Sequence, residues 1–324
     1  MKLIVQIPCL NEEQTLPLVL KSIPKKIPGI DTVEVLIVDD GSRDKTVAIA
    51  QAHGVQHVVR HARNRGLGIS FRHGIERAME LGADIVVNTD GDNQYPQGRI
   101  ADLVQPIVRG EADIVIADRQ THTIAHFSPF KKFLQRMGSR VVNIAAGTDL
   151  PDASSGFRAY SRGSLLELNT VTMFSYCMET IIQAGNKRMA ITSIPVETNR
   201  KTRNSRLFKS TWEHVRKSGM TIVRAYIMYR PHVVFGGAGV LLFVMGAIPF
   251  ARFLYLTATD DNTAGHLQSL IIGLVLLVAA LLCLALTIIA DLIRTNRTLI
   301  EQGLEHAKKA RFEPRVHAPE KRLT

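Results

Sequence analysis

Residues 84–96 join a short apolar run to two carboxylates that stand one residue apart. The run Ile85-Val86-Val87 is β-branched and lacks helical spacing, so it predicts a buried parallel strand. Asp90, Asp92 and Gln94 follow at alternate positions, where an extended segment can direct all three side chains the same way. Their hard oxygen donors suit Mg²⁺ or Mn²⁺ with further ligands supplied by phosphate oxygens. A polar turn after a strand is the alternative interpretation.

Polar residues also follow the other predicted strands, at the point where each strand ends. They are Asn11 and Glu12, Asp39 and Asp40, Asn64 and Arg65, and Asp118 and Arg119. Each pair taken alone fits a helix cap, a first-turn helix acid or a solvated charge. Because open α/β sheets bind ligands outside the carboxyl ends of their strands, these tips together predict a single crevice.

Strands and helices alternate through the N-terminal part of the chain. The apolar pattern predicts strands at 2–8, 32–38, 55–59, 85–87, 113–117 and 190–196. It predicts helices at 11–26, 43–53, 69–81, 97–109, 130–146 and 174–185. This alternation indicates an α/β fold with a doubly wound, mostly parallel sheet. Residues 207–230 are helical and basic in pattern, which suits amphipathic juxtamembrane helices on a membrane surface.

Two long apolar runs follow, and each is long enough to cross a bilayer as a helix. The predicted spans are about 233–256 and 267–291, within a transmembrane hairpin at 231–292. A buried core helix is the alternative for each run. Lys and Arg are concentrated before the first run and after the second, while 257–266 contains neither. The positive-inside rule therefore places the N-terminal domain and both chain ends in the cytoplasm. The basic segment 293–324 is predicted to be a cytoplasmic tail, loose after Leu304.

The net charge of +11 clusters beside the apolar runs, which favours anionic lipid headgroups as its partner. Nucleic acid is the alternative, but no zinc-finger or RNA-binding signature accompanies the charge. The three cysteines Cys9, Cys177 and Cys283 are scattered and odd in number. Neither a disulfide framework nor a metal cluster follows from them. The brief apolar stretch near the N-terminus does not fit a signal peptide.

Four of these elements resemble the signature of family 2 glycosyltransferases and occur in that family's order. They are Pro8–Glu13, Val38–Ser42, Asn64–Gly66 and Asp90–Gln94. Asp152–Arg158 and Arg203–Leu207, followed by two apolar runs, resemble the polyprenyl-phosphate sugar synthases of that family. The resemblance implies a GT-A fold, Rossmann-like, over residues 1–206. It also implies a nucleotide-sugar donor, a polyprenyl phosphate acceptor and a membrane location.

The resemblance further implies a role for each matching residue. Asp90, Asp92 and Gln94 would hold Mg²⁺ or Mn²⁺ against the donor diphosphate, and Arg119 would approach the phosphates. Asp90, Asp92 and Arg119 are accordingly the predicted catalytic residues. The implied nucleotide-sugar set is Pro8, Asn11, Glu12, Asp39, Asp40, Gly41, Arg65, Gly91 and Arg203. The implied acceptor-phosphate set is Lys132, Arg136, Ser139 and Arg206. The register of the acceptor helix is open, because several family members have arginine where this chain has Gln135.

The implied reaction breaks an anomeric carbon–oxygen bond and releases a nucleoside diphosphate. A metal and arginines stabilise the charge on that leaving group without a proton donor. Phosphate monoesters have a second pKa of about 6, so a lipid monophosphate is largely dianionic and requires no strong general base. Direct attack would invert the anomeric configuration and give a β-linked lipid-phosphate sugar from an α-linked donor.

Three alternative functions are considered beside this one. A processive polysaccharide synthase of the same family would resemble its relatives in a Gln-x-x-Arg-Trp motif, but the sequence has no Arg-Trp pair. The intact Asp90, Asp92 and Gln94 disfavour a non-catalytic membrane scaffold that binds nucleotide sugars. The missing aromatic platform disfavours an RNA-binding membrane protein. UDP-glucose and GDP-mannose stay open as donors, undecaprenyl and dolichyl phosphate as acceptors, and a homo-oligomer as the assembly.

Overall fold

The computed structural model describes residues 1–121, 129–170, 176–199, 219–220, 223, 227, 231–259 and 267–312. The chain divides into two compact units, Met1–Ile222 with Glu301–Thr324, and Val223–Ile300. Several predictions fall outside the described residues. They concern Arg203 and Arg206, the domain boundary at 206, nearly all of the juxtamembrane helices at 207–230, and the tail from 313 onward.

The first unit alternates strands and helices. Its strands are β1 (Lys2–Cys9), β2 (Thr32–Asp39), β3 (His57–Arg60), β4 (Ile85–Asn88), β5 (Ile114–Asp118), β6 (Arg158–Ser161) and β7 (Ile191–Pro195). Its α-helices in the described ranges are α1 (Leu16–Ser22), α2 (Thr46–Ala52), α3 (Leu67–Glu80), α4 (Ile100–Val108), α5 (Pro129–Ala146), α6 (Arg162–Glu167) and α7 (Tyr176–Asn186). One turn of 3₁₀ helix, Gln97–Arg99, precedes α4.

All seven strands form one sheet in the order β3-β2-β1-β4-β6-β5-β7. β1 pairs in parallel with β2 and with β4, so that Val5 lies between Val35 and Val87. β6 is antiparallel to both of its neighbours, β4 and β5. The predicted α/β fold with a mostly parallel sheet is confirmed.

The central strands are buried on both faces, which explains why their sequences are continuous apolar runs rather than alternating ones. Leu3, Val5 and Val87 belong to the main apolar cluster. Ile4 and Val86 are equally buried, and successive residues of a strand point to opposite faces. The two faces of the sheet are therefore both covered.

The first helix is shorter than the sequence predicts. The expected range is 11–26, whereas α1 spans Leu16–Ser22. Asn11 has a φ of 56°, outside the right-handed helical region. Pro24 disfavours a helical conformation at the residue before it, and Ile23 is extended with a ψ of 125°. The chain between β1 and α1 is consequently a loop at the edge of the sheet.

β6 and α6 are missing from the sequence prediction. β6 begins with Arg158, a charged residue that a hydrophobic pattern does not assign to a sheet, yet its side chain is fully buried. Its guanidinium donates to the carbonyls of Ser155 and Cys177 at 2.7 and 2.8 Å. It also donates to the carbonyl of Ala153 at 2.9 Å and to the hydroxyl of Thr180 at 3.0 Å. These acceptors make the burial of the cation possible.

The second unit contains two apolar helices, α8 (Gly237–Thr259) and the start of α9 (Leu267–Phe312), with a π-helical turn at His232–Gly236 before α8. An 18-residue stretch in each has a mean hydropathy of 2.2 and 3.1, respectively, and both helices are long enough to cross a membrane. Their exposed apolar side chains suggest membrane insertion. The two helices approach closely at a glycine, because a Cβ on Gly246 would lie 2.9 Å from the Leu276 side chain.

α9 continues beyond its apolar part, and its last turns, from Glu301 onward, belong to the first unit and contact α6 and α3. Lys308 donates to the carbonyls of Leu165 at 3.5 Å and Leu168 at 2.5 Å, where α6 ends. Arg311 pairs with Glu80 of α3 at 2.5 Å. The prediction of a loose tail after Leu304 is therefore wrong for residues 305–312. Cations that resemble solvated charges in the sequence bind carbonyls and a carboxylate at the ends of two helices.

Candidate active site

The polar tips predicted from the sequence share one edge of the sheet. β1, β2 and β4 are mutually parallel and end at Cys9, Asp39 and Asn88. β5 ends at Asp118 on the same edge, because β6 is antiparallel to both β4 and β5. The expectation that these tips gather at one edge is confirmed.

A cavity of about 700 Å³ opens at the ends of β1, β2 and β3, a volume typical of small-molecule sites. It is lined by Leu10, Asn11, Gly41, Ser42, Arg43, Arg60, His61, Ala62, Arg63 and Asn64. Asn11 and Gly41 are predicted donor-binding residues. The basic lining residues Arg43, Arg60, Arg63 and His61 are absent from the set predicted from the sequence. Gly41 has a φ of 82°, and an added Cβ would lie 2.7 Å from the Arg63 backbone. Only glycine allows this close approach.

Asp40 stabilises the loop that follows β3 through hydrogen bonds. Its carboxylate accepts the backbone N–H groups of Arg65 and Gly66, each at 2.9 Å, and lies 2.7 Å from Nδ1 of His61. Nε2 of His61 lies 2.9 Å from Nδ1 of His73 on α3. Burial lowers the pKa of His73, which favours the neutral ring at neutral pH. Asp40 and the backbone of Arg65 thus hold the loop after β3 in place. Their contact with a donor stays a prediction.

Asp39 is fully buried and has one carboxylate oxygen without a hydrogen bond. Oδ1 accepts the backbone N–H of Ser42 at 3.1 Å. Oδ2 has no hydrogen-bond partner among the described residues, although Nε of the exposed Arg60 lies 3.4 Å away. A buried acceptor without a donor is costly, so this oxygen is suited to accept an N–H or O–H group from a ligand. Asp39 belongs to the nucleotide-sugar set implied by the resemblance, and that role stays a prediction.

A second group of predicted donor residues connects the end of β1 to the loop after β4. Pro8 lies in β1, and Asn11 turns the chain just beyond it. The hydroxyl of Thr15 lies 2.8 Å from the buried carboxylate of Glu12 and 2.8 Å from the carbonyl of Gly91. A Cβ on Gly91 would lie 3.2 Å from Cγ of Glu12. Glu12 and Gly91 therefore hold two site loops together.

The loop after β4 brings Asp92 and Gln94 into contact. The carboxylate of Asp92 accepts the backbone N–H of Gln94 at 3.1 Å and its side-chain amide at 2.8 Å. Asn93 between them has a φ of 60°, so the segment turns instead of extending as the sequence suggested. Asp90 faces a different neighbour, since a Cβ on Gly156 would lie 3.4 Å from its Oδ2. The expectation of one extended segment is wrong because the turn at Asn93 breaks the alternation.

The donor set in this loop fits a hard divalent cation. Asp90, Asp92 and Gln94 offer two carboxylates and one amide oxygen, and all three residues are half-buried. Mg²⁺ is usually bound through one or two carboxylates together with phosphate oxygens and water. In the described ranges, no group of three His, Cys, Asp or Glu side chains could hold a metal. Metal binding by Asp90, Asp92 and Gln94 stays a prediction.

Arg119 follows β5 and binds a buried carboxylate. Its Nε and Nη2 lie 2.6 and 3.0 Å from the Asp152 oxygens, and Nη2 donates to the Ser154 hydroxyl at 2.6 Å. Burial by itself would raise the pKa of Asp152, but the charge and hydrogen bonds of Arg119 hold that pKa below its usual value. Asp152 and Ser154 lie in a segment that carries the family resemblance, yet nothing in the sequence marks them as partners of Arg119. The contact of Arg119 with phosphates stays a prediction.

The turn at Gly156 is held between β4 and α7. Its backbone N–H donates to the Tyr95 hydroxyl at 3.1 Å, and burial raises the pKa of Tyr95 to about 12. Its carbonyl accepts from the Asn88 amide at 3.1 Å and from the Tyr176 hydroxyl at 3.1 Å. Because Gly156 also faces Asp90, these contacts fix one side of the predicted metal loop.

α5 carries the residues predicted to bind the acceptor phosphate. Lys132, Arg136 and Ser139 are four and then three residues apart, so they share one side of the helix. Ser139 is buried, and its hydroxyl accepts the backbone N–H of Ala153 at 3.2 Å. Lys132 is half-buried and Arg136 is exposed. Ser139 thus supports the segment that contains Asp152. Acceptor binding by Lys132, Arg136 and Ser139 stays a prediction.

The chain matches the sequence model of the family described as Glycosyl transferase family 2 over residues 4–168. It is 28% identical over 213 residues to the UDP-N-acetylglucosamine–dolichyl-phosphate N-acetylglucosaminyltransferase of Methanococcus voltae, covering 59% of this chain and 83% of that protein. It is 26% identical over 204 residues to the polyprenol monophosphomannose synthase of Mycolicibacterium smegmatis, covering 60% of this chain and 76% of that protein.

The fold is similar to that of a solved synthase. The structure of glucosyl-3-phosphoglycerate synthase from Mycobacterium tuberculosis, in complex with Mn²⁺, uridine diphosphate and glucosyl-3-phosphoglycerate, superimposes with a TM-score of 0.53. The sequences are 22% identical, and the match covers 70% of this chain and 78% of the other. At this identity the likeness concerns the fold alone.

Proposed function

The chain belongs to glycosyl transferase family 2, and from that membership we propose that it moves a hexose from a nucleotide sugar to a polyprenyl phosphate. The donor class is UDP-glucose or GDP-mannose, and the acceptor class is undecaprenyl or dolichyl phosphate. The observation that carries the proposal is the similarity, over 59% of this chain, to a transferase named for dolichyl phosphate. The Mycolicibacterium smegmatis relative is named for a polyprenol product and supports the same acceptor class.

The donor would lie along the carboxyl edge of the sheet. Oδ2 of Asp39 lies beside Arg60, which lines the cavity of about 700 Å³, and would accept an N–H or O–H group of the nucleoside there. Asp90, Asp92 and Gln94 would hold Mg²⁺ or Mn²⁺, which supplies positive charge to the leaving diphosphate when bound. Arg119, which is held by its ion pair with Asp152, would interact with the donor phosphates.

The acceptor would approach from α5. Its phosphate monoester is largely dianionic at neutral pH, since the second pKa is about 6, so no residue is assigned as a general base. Lys132 and Arg136 would bind and orient that dianion, with Arg203 and Arg206 as further cations. An in-line attack on the anomeric carbon breaks its bond to the diphosphate oxygen and inverts the configuration. An α-linked donor would then give a β-linked lipid-phosphate sugar.

The proposed membrane arrangement is supported by the two apolar helices and by the basic residues around them. α8 and the apolar part of α9 would both span the bilayer. The excess of Lys and Arg before α8 and after the apolar part of α9 would place the catalytic domain and both chain ends in the cytoplasm. The donor, a water-soluble nucleotide sugar, would reach the site from that side.

The test is a panel of UDP- and GDP-hexoses supplied to vesicles that contain the protein, polyprenyl phosphate and Mg²⁺ or Mn²⁺. We expect one donor class to give a β-linked lipid-phosphate hexose, identified by mass spectrometry and by the anomeric coupling constant. Asp92→Ala should abolish turnover, whereas Asp149→Ala, at an exposed position, should not. An α-linked product would refute the inverting step. Full activity of Asp92→Ala would refute the metal assignment.

A further inference from the structure

α5 exposes an apolar face, which is unusual for a helix on the surface of a folded domain. Phe133, Met137 and Ile144 are 60%, 47% and 52% exposed. At 3.6 residues per turn these three positions fall within about 40° of one another around the helix. They therefore form a single stripe, which we call the α5 stripe.

The opposite side of α5 is the side that packs on the domain. Ser139, Val142 and Ala145 are buried there. The packing is tight at the end of the helix, since a Cβ on Gly185 of α7 would lie 2.2 Å from the Ala146 carbonyl oxygen. The exposure of the α5 stripe thus belongs to a helix whose orientation is fixed by its buried side.

Cations border the α5 stripe along one side. Arg136 and Arg140 are exposed and fall next to the stripe on the helical wheel. The sequence of α5 contains no Asp or Glu, and it has four basic residues. Apolar side chains beside arginines on one helix face are the pattern of helices that lie in the headgroup region of anionic membranes. Long basic side chains reach phosphates from such a position while their stems stay in apolar surroundings.

We propose that the α5 stripe inserts into the surface of an anionic lipid membrane, with Arg140 binding lipid phosphates while Arg136 is kept for the acceptor phosphate. The charge of α5 favours this occupant over an apolar protein partner, and the same chain carries two helices that are long and apolar enough to cross a bilayer. The docked α5 would present its Lys132 side at the headgroup level. The proposal concerns a lipid surface and stands apart from the identity of the sugar or the acceptor.

The test uses the full chain with Cys283→Ala as background, because the remaining cysteines, Cys9 and Cys177, are buried. A fluorophore sensitive to polarity is attached at Phe133→Cys or, as a matched control, at Leu18→Cys, a 51% exposed leucine on α1. Both proteins are reconstituted in phosphatidylcholine vesicles with phosphatidylglycerol. Quenching by spin-labelled lipid is compared with quenching by aqueous iodide. We expect a several-fold higher lipid-to-iodide ratio at 133 than at 18.

Each outcome decides the proposal. Equal iodide quenching at the two positions would overturn it. Shielding of position 133 from both quenchers would also overturn it, since a second copy or another segment would then cover the stripe. Ile144→Cys repeats the measurement if the label at 133 disturbs folding. Arg140→Gln should lower the lipid quenching in vesicles with phosphatidylglycerol and leave it unchanged without. Hexose transfer is assayed in the same vesicles, so failure of the proposed reaction is detected separately from failure of lipid docking.

Discussion

Asp152→Asn is the substitution that tests most directly how the candidate site is held. The change keeps the shape of the side chain but removes the charge that faces Arg119 across two contacts of 2.6 and 3.0 Å. The Asp152 side chain is 1% exposed and that of Arg119 is 19% exposed, so water replaces little of the lost interaction. The variant leaves a largely buried guanidinium without its counter-ion.

Removing one partner of a buried ion pair costs about 3–5 kcal/mol of unfolding free energy. The residual exposure of Arg119 favours the lower value, about 3 kcal/mol, because water screens part of the freed charge. Domains of this size lose about 2–4 °C of unfolding midpoint per kcal/mol, so we expect a decrease of about 6–12 °C.

The measurement is the thermal unfolding midpoint of the purified protein in detergent, followed by circular dichroism. Glu111→Gln is the matched control, since Glu111 makes a similar two-contact pair with Arg109 at 2.7 and 2.8 Å but on the open surface. It should leave the midpoint unchanged. Equal midpoints for Asp152→Asn and the wild type would refute the argument that burial makes this pair important.

The same pair predicts a pH dependence. The folded-state pKa of Asp152 is lowered, so its contribution to stability is complete above the unfolded-state pKa of about 3.9. It is lost as the pH falls through the lower folded-state value. The difference in unfolding free energy between the wild type and Asp152→Asn should therefore be constant near neutral pH. It should become smaller only in strong acid.

Two further substitutions test packing, each with its own control. Gly185→Ala should lower the unfolding midpoint, because its Cβ would lie 2.2 Å from the Ala146 carbonyl oxygen and overpacking costs about 1–3 kcal/mol. The control is Gly138→Ala on α5, where an added Cβ meets nothing within 4 Å. It should increase the unfolding free energy by up to about 1 kcal/mol and so raise the midpoint. Equal midpoints for the Gly185→Ala and Gly138→Ala variants would contradict the packing described. Lys308→Met should speed amide hydrogen exchange in 301–312, since it removes two hydrogen bonds to the end of α6. Lys309→Met, which alters a pair within the same helix, should not, and equal exchange in both variants would refute the docking of this segment.

The central strands could be predicted because a strand that is buried on both faces has a run of apolar residues in the sequence. β1, β2 and β4 are apolar runs without alternation, and parallel order places their polar ends at one edge. β6 has no such apolar run. It has only four residues, and its Arg158 is neutralised by carbonyls that only the folded chain brings near.

The candidate site was harder to predict than the fold, because adjacent residues of one type do different things. Asp39 and Asp40 are neighbours in the sequence, yet Asp40 accepts two backbone N–H groups while Asp39 keeps an unmatched oxygen. His61 and His73 meet although they lie on different elements. Such differences come from tertiary contacts that no local pattern encodes.

The central position of β6 has a consequence for the newly synthesised chain. β3, β2, β1 and β4 can pair as they leave the ribosome, but the second edge of β4 has no partner until residues 158–161 are made. β5 emerges earlier than β6 and can join this sheet only through it. At roughly 5–20 residues per second, an apolar edge strand stays uncovered for roughly 4–14 seconds of translation. Open edges of this kind pair with other chains, so a translational pause before residue 158 would favour aggregation of the nascent protein.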